Sequence, residues 1–284
     1  MRTSGPSGLA AALVGLAAAA YGAQAVTLDR TIREYTLPDQ IQWRTAASGI
    51  ATALLYGDPA KPGMYVTLQR RPPNIWSQPH SHETDRYAVV LDGTFWAGSG
   101  RVDRDSTVPL GPGTVIRDFA HTVHYDGSRD ETVTLLFVGE GPVAPSRPAD
   151  ASELAAPPRP LDQVREARRL EELRWEHDAA SSSVTLVGDP DQPGLYLRYV
   201  RRKPHQWSGL HSHSTERLVM VMDGRMYIGT GTTLDRERTI GVPRGGFIRD
   251  LARGVHYDGT KDEDLWILIA GIGPAASTPY PASR

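Results

Sequence analysis

Apolar positions along this chain fall in short runs, some continuous and some alternating with polar residues. Examples are "MYVTL", "RYAVVL", "TFWAG" and "TVTLLFV", and further on "LYLRYV", "RLVMVM", "RMYIG" and "LWILIA". Gly, Pro and Asp-Gly interrupt them at steps of roughly ten residues, the spacing of an antiparallel sandwich or barrel. The pattern therefore predicts an all-β protein. One stretch reads differently: in "LDQVREARRLEELRW" the apolar Val164, Ala167 and Leu170 are three apart, which predicts a short helix.

The runs come in two sets. "YGDPAKPGMYVTLQRRPPNIWSQPHSH" from Tyr56 matches "VGDPDQPGLYLRYVRRKPHQWSGLHSH" from Val187, 131 residues later. "VIRDFAHTVHYDGSRDE" from Val115 matches "FIRDLARGVHYDGTKDE" from Phe247 at an offset of 132, so one residue is inserted between the two blocks. A period of this length implies a duplicated β domain of about 115 residues. The expected boundaries are 26–142 for the first domain, 143–160 for a Pro- and Ala-rich linker, 161–275 for the second domain and 276–284 for a tail.

The first 25 residues belong to neither copy. Arg2, an apolar run from Leu9 to Ala20 and the small-residue pattern Ala23-Gln24-Ala25 have the layout of a signal peptide cleaved after Ala25. The apolar run is 12 residues, too short to span a bilayer. A periplasmic or secreted location is expected, by Sec-type export, since no twin arginine is present. The chain has no Cys, which excludes a lipid-anchored lipoprotein and fits an oxidising compartment. A net charge of −2, with 39% hydrophobic and 23% charged residues, suggests neither a nucleic-acid partner nor a membrane partner for the mature form.

The chemistry concentrates in histidine. Six of nine His fall at equivalent places in the two copies: His80, His82 and His124, then His211, His213 and His256. On a strand, side chains two apart share a face, so each H-x-H pair can offer two imidazoles to one ion. Antiparallel pairing can bring in the third. Three neutral imidazoles leave open positions on a metal, the layout of a catalytic site. His121 aligns with Arg253 and His205 with Asn74, while His177 has no partner, so these three are expected to be solvated or to support the sites from outside.

"HSHETDRYAVVLDG", "HSHSTERLVMVMDG", "LGPGTVIRDFAHTVHYDG" and "GVPRGGFIRDLARGVHYDG" resemble the two motifs of the cupin superfamily, G-x5-H-x-H-x3,4-E-x6-G and G-x5-P-x-G-x2-H-x3-N. The resemblance covers nearly all of the mature chain. It implies two tandem jelly-roll barrels, a bicupin, with one divalent transition metal inside each. The motif glutamate, however, falls on Arg86 and Arg217, which cannot ligate a metal.

Three arrangements would meet that departure. One is a three-His site, resembling the β-diketone-cleaving iron dioxygenases among cupins. In another, Asp85 and Glu216 turn inward as ligands, although strand parity puts residue 86, not 85, on the face of His80 and His82. In the last, Arg86 and Arg217 take a catalytic role by receiving an anionic substrate. The alternative is an arginine paired with Asp85, Glu216 or another barrel carboxylate for structure alone. Tyr125 and Tyr257 are candidates for the pocket rim, and Trp76 and Trp207 for its wall or for core.

Imidazole ligation admits Fe, Mn, Zn or Cu; the resemblance pulls towards the first two and loading outside the cytosol towards the last two. The leading expectation is an exported metal-dependent oxygenase of the dioxygenase type, acting on a small oxygenated molecule. A non-redox isomerase, lyase or hydrolase and a non-enzymatic metal or ligand binder are the alternatives. The two-barrel chain is compatible with a monomer or a homo-oligomer.

Overall fold

The computed structural model describes residues 27–281, so the proposed signal peptide lies outside the described residues. The protein is all-β: two seven-stranded and two five-stranded antiparallel sheets, with one short α-helix, Ala151–Ala155, among the described residues. In each half a seven-stranded sheet faces a five-stranded sheet across an apolar interior. In the first half Ala88, Val90, Ile116, Val133 and Leu135 meet Phe95, Ala97 and Leu110 from the opposite sheet. Val219, Val221, Ile248, Leu265 and Ile267 meet Met226, Ile228 and Val242 in the second.

The two jelly rolls pack back to back. On the long strands Gly63–Arg71 and Gly194–Arg202, one face looks into its own barrel and the other contributes to a shared core. That core joins Val66, Leu68, Leu136 and Val138 to Leu197, Tyr199, Met220 and Leu268. This explains why several strands read as continuous apolar runs rather than alternating ones. Both of their faces are buried.

The halves also exchange strands. Arg33–Thr36, ahead of the first repeat, pairs with Phe247–Asp250 of the second. Arg165–Arg168, ahead of the second repeat, pairs with Val115–Asp118 of the first. This corrects the short helix expected at Val164, Ala167 and Leu170. The segment is a strand flanked by the 3-10 turns Leu161–Gln163 and Leu170–Glu172. Its inward positions are Arg165 and Ala167, with Glu166 exposed. An arginine drawn inward by buried carboxylates hid the period-two pattern.

The segment between the repeats returns to the first barrel before crossing over. Arg147–Pro148 pairs with His80–Ser81. At the other end Ser277–Pro279 pairs with His211–His213.

Candidate metal centres

The strands bring each histidine set together. His124 lies directly across from His80, and His256 from His211. Ring centroids are 4.6–5.0 Å apart in the first triad and 4.4–4.9 Å in the second. In each triad one ligand nitrogen per ring lies within 4.8 Å of the other two.

Hydrogen bonds outside each triad set the tautomers. His80 Nδ1 meets the Gln78 carbonyl at 2.7 Å and His124 Nδ1 meets the Thr122 carbonyl at 3.0 Å. The counterparts are His211 with Gly209 and His256 with Gly254, both at 2.9 Å. A carbonyl can only accept, so Nδ1 carries the proton and Nε2 keeps its lone pair. His82 Nδ1 meets Ser146 Oγ at 3.2 Å, and His213 Nδ1 meets Ser277 Oγ at 3.1 Å. The Nε2 atoms of His124 and His256 are buried and make no hydrogen bond. A buried nitrogen without a partner is costly, and a cation shared by the three imidazoles of its triad would remove the cost. The donor set fits a divalent transition metal.

Burial favours the neutral form of His82, His124, His213 and His256. It depresses His82 and His213 to about 3 and His256 to about 4, with Arg86, Arg217 and Arg33 respectively adding repulsion. These four imidazoles are therefore ready to ligate at neutral pH.

Ser146 and Ser277 were missed in the sequence. They occupy matching places after the last long strand of each half. Their hydroxyls orient the second histidine of each pair, the kind of outer contact that tunes a metal ligand. Ser146→Ala should lower metal affinity at the first triad by about 10-fold or somewhat more. Competition with a chelating dye should detect this, with Ser277→Ala acting on the second triad alone.

A buried charge layer lies beside each triad, also unread in the sequence. Asp118 binds Arg165, which also reaches Asp126 at 3.1 Å, and Arg71 reaches Asp126 at 2.7 Å. In the second half Asp250 binds Arg33, which reaches Asp258 at 3.0 Å, and Arg202 reaches Asp258 at 2.5 Å. Burial alone would raise these acids, but the guanidinium groups outweigh it and hold Asp126, Asp250 and Asp258 below the usual carboxylate range. Asp118 Oδ2 is 3.8 Å from His124 Nε2, and Asp250 Oδ2 is 3.8 Å from His256 Nε2. The "IRD" and "HYDG" blocks that carry these acids are identical in the two copies, which was the available signal.

Arg86 and Arg217 stand on the triad side of their strands, directly across from Asp118 and Asp250. Neither forms an ion pair among the described residues. Arg86 Nη2 donates to the Ala144 carbonyl at 3.3 Å and Arg217 Nη2 to the Ala275 carbonyl at 2.9 Å, while each Nε is buried without a partner. Asp85 and Glu216 lie apart from the ligand clusters. Asp85 pairs with Arg117 at 2.5 Å and accepts from the Ala120 N–H at 2.9 Å. Glu216 accepts from Arg249 and from the Tyr56 hydroxyl, both at 2.6 Å. They are neither ligands nor partners of the motif arginines.

The remaining candidates have other work. The Tyr125 hydroxyl holds the backbone of Asp103, and that of Tyr257 holds Asp235. Trp76 and Trp207 cover Gly127 and Gly259, where a Cβ would collide with the indole rings. His121, Arg253, Asn74 and His205 all sit at positive φ, between 57° and 66°, so the aligned pairs mark repeated tight turns. His177 meets Ser182 Oγ at 2.7 Å.

The first triad opens on a cavity of about 170 Å³, whose wall includes Gln69, Arg71, His80, His82, Arg86 and Phe137. That is small beside ordinary ligand pockets and suits a molecule of a few heavy atoms. The wall carries Arg71 and Arg86 against Asp118 and Asp126, and both aspartates are already paired with Arg165 outside it, so Arg86 is left as the guanidinium free to meet an anion.

No family model and no curated protein matches the chain. Solved structures do. The chain is similar to oxalate decarboxylase of Lactobacillus farciminis in a formate complex, with 16% identity, a TM-score of 0.58 and coverage of 87% of this chain and 88% of that one. A cupin 2 conserved barrel domain protein from Leptotrichia buccalis aligns at 14% identity and a TM-score of 0.55, over 85% and 97% of the two chains. Vicilin from hazelnut, Corylus avellana, aligns at 12% identity and a TM-score of 0.55, over 86% and 87%. The fold is thus that of a bicupin, and each barrel carries a three-histidine cluster able to hold a metal ion.

Proposed function

We propose that the protein is an exported metal-dependent enzyme of the oxygenase type, acting on a small anionic, oxygen-rich molecule. One observation carries the reading. Three imidazoles converge beside a guanidinium that has no carboxylate partner, at a cavity of about 170 Å³. Fold likeness alone assigns no activity, since similar barrels serve many roles.

A transition metal held by His80, His82 and His124, or by His211, His213 and His256, would supply a Lewis-acidic centre with open positions, and a redox-active one could engage dioxygen. Arg86 and Arg217 would hold the negative charge of a carboxylate or enolate by charge-assisted donation. The Arg71–Asp126–Arg165–Asp118 layer keeps the floor rigid and dry. The two triads, one in each barrel, would make the chain self-sufficient as a monomer.

A second reading is a non-redox lyase. It is favoured by the likeness to oxalate decarboxylases and by Asp118, which brings a carboxylate near His124 that the histidine motif does not contain. Against it, Asp118 is committed to Arg165.

An oxygen electrode decides between them. Iron- or manganese-loaded protein given small carboxylates and β-dicarbonyls should take up O2 in proportion to product. Arg86→Met should raise KM for anionic substrates at the first site by about 10–100-fold, the worth of a charge-assisted contact. Turnover without O2 uptake would establish the lyase reading. Metal binding without turnover of any of these compounds would leave a binding protein.

A further inference from the structure

The interiors of the two barrels are not copies. Along the inward face of the strand Gly63–Arg71 stand Tyr65, Thr67, Gln69 and Arg71. At the same places on Gly194–Arg202 stand Tyr196, Arg198, Val200 and Arg202. Gln69, which lines the first cavity, is thus replaced by the apolar Val200, and Phe137 by Ile269.

The Gln69 amide has a fixed orientation. Arg71 Nη2 donates to its Oε1 at 3.0 Å. A guanidinium has only donors, so the oxygen faces Arg71 and the NH2 group faces away from it. That NH2 group makes no hydrogen bond within the protein and is not sealed from solvent. Arg71 is itself held by Asp126, so the chain Asp126–Arg71–Gln69 aims a donor from the buried charge layer into the cavity. Val200 has nothing to offer there.

We propose that Gln69 is a substrate-contacting specificity residue of the first half, donating to an acceptor oxygen of a small carboxylate held beside His80, His82 and Arg86. The second half lacks this contact, so the two sites differ in their preference for acceptor-rich ligands. This rests on the reading above that the cavities receive small anionic molecules.

The test is calorimetric titration of oxalate into metal-loaded protein, with one site studied at a time. The His213→Ala background leaves the first triad, and His82→Ala leaves the second. In the first background Gln69→Met should weaken oxalate by about 5- to 10-fold, the loss of one donor to a charged acceptor. Metal content should be unchanged, because Gln69 is not a ligand. Gln69→Glu should weaken oxalate further, by opposing the anion. In the second background Val200→Gln should tighten binding. That comparison is made within one cavity, so Arg198, which donates to Ser183 Oγ at 2.5 Å, is common to both arms.

Equal affinities for wild type and Gln69→Met at the first site, with no gain from Val200→Gln, would overturn the assignment alone. Failure of either site to bind oxalate would overturn it together with the carboxylate reading of the cavities.

Discussion

Replacing Arg165 with methionine is expected to destabilise the protein by about 3–5 kcal/mol, the cost of removing one partner from a buried ion pair. Arg165 is 1% exposed, and its partners Asp118 and Asp126 are 6% exposed. Without it Asp118 has no ion-pair partner among the described residues, since His124 beside it is neutral, and Asp126 keeps only Arg71. Methionine fills much of the space, so the loss measures charge rather than a void. Arg33→Met should behave alike in the second barrel, where Asp250 loses its guanidinium and Asp258 retains Arg202. Urea midpoints should show both losses. Arg147→Met, which breaks an exposed pair with Glu153, should change stability by no more than about 1 kcal/mol. The double change Arg165→Met with Asp118→Leu should recover part of the loss, because two apolar groups leave no charge stranded. A single-variant loss under about 1 kcal/mol would mean that water reaches the layer and that it is not a dry floor.

The location of these arginines makes the effect informative. Residue 165 lies beyond the first repeat yet completes the first barrel, and residue 33 lies ahead of it yet completes the second. Damage from Arg165→Met should therefore concentrate on the metal site at His80, His82 and His124. A half cut out at the repeat boundary would carry Asp118 and Asp126 without Arg165.

What could be read from the sequence follows from what leaves a local signature. Alternation with Asp-Gly turns gave the strands, and duplication gave the two barrels. Period two paired His80 with His82; a bend at Glu83 and Thr84 then carries the chain to the other sheet, and Arg86 meets the same cavity from there. Asp85 lies outside, on Arg117. What escaped depends on contacts distant in sequence. Arg165 sits in a stretch whose apolar spacing mimics a helix, because its inward position is filled by a charge matched only in three dimensions. Ser146 lies in a Pro- and Ala-rich segment that looks like a spacer, and the repeat offset returns there from 132 to 131, which blurs the match with Ser277. Asp118 and Asp126 were visible as identical blocks but not as a pair.

His82→Ala and His213→Ala carry the largest functional effects. Each should remove one of two equivalents of bound metal, and the double variant both. Loss of a ligand exceeds the 10- to 100-fold range of an outer contact. The triads do not share ligands, and each His82 or His213 ring is fixed by its own serine, so the losses should be independent. Metal analysis after dialysis reads the stoichiometry, and near-complete retention in either single variant would remove that triad from consideration. The acid limb gives a check without metal. His82, depressed to about 3 when folded, is free to protonate near 6.5 when unfolded. The unfolded chain thus takes up the proton first as pH falls. The ring's contribution to stability is full above about 6.5 and is lost progressively towards 3. Urea midpoints of metal-free protein should fall across that window, and His82→Ala should flatten the slope. A slope unchanged by His82→Ala would place that ring in water rather than in the buried cluster from which its role as a ligand is argued.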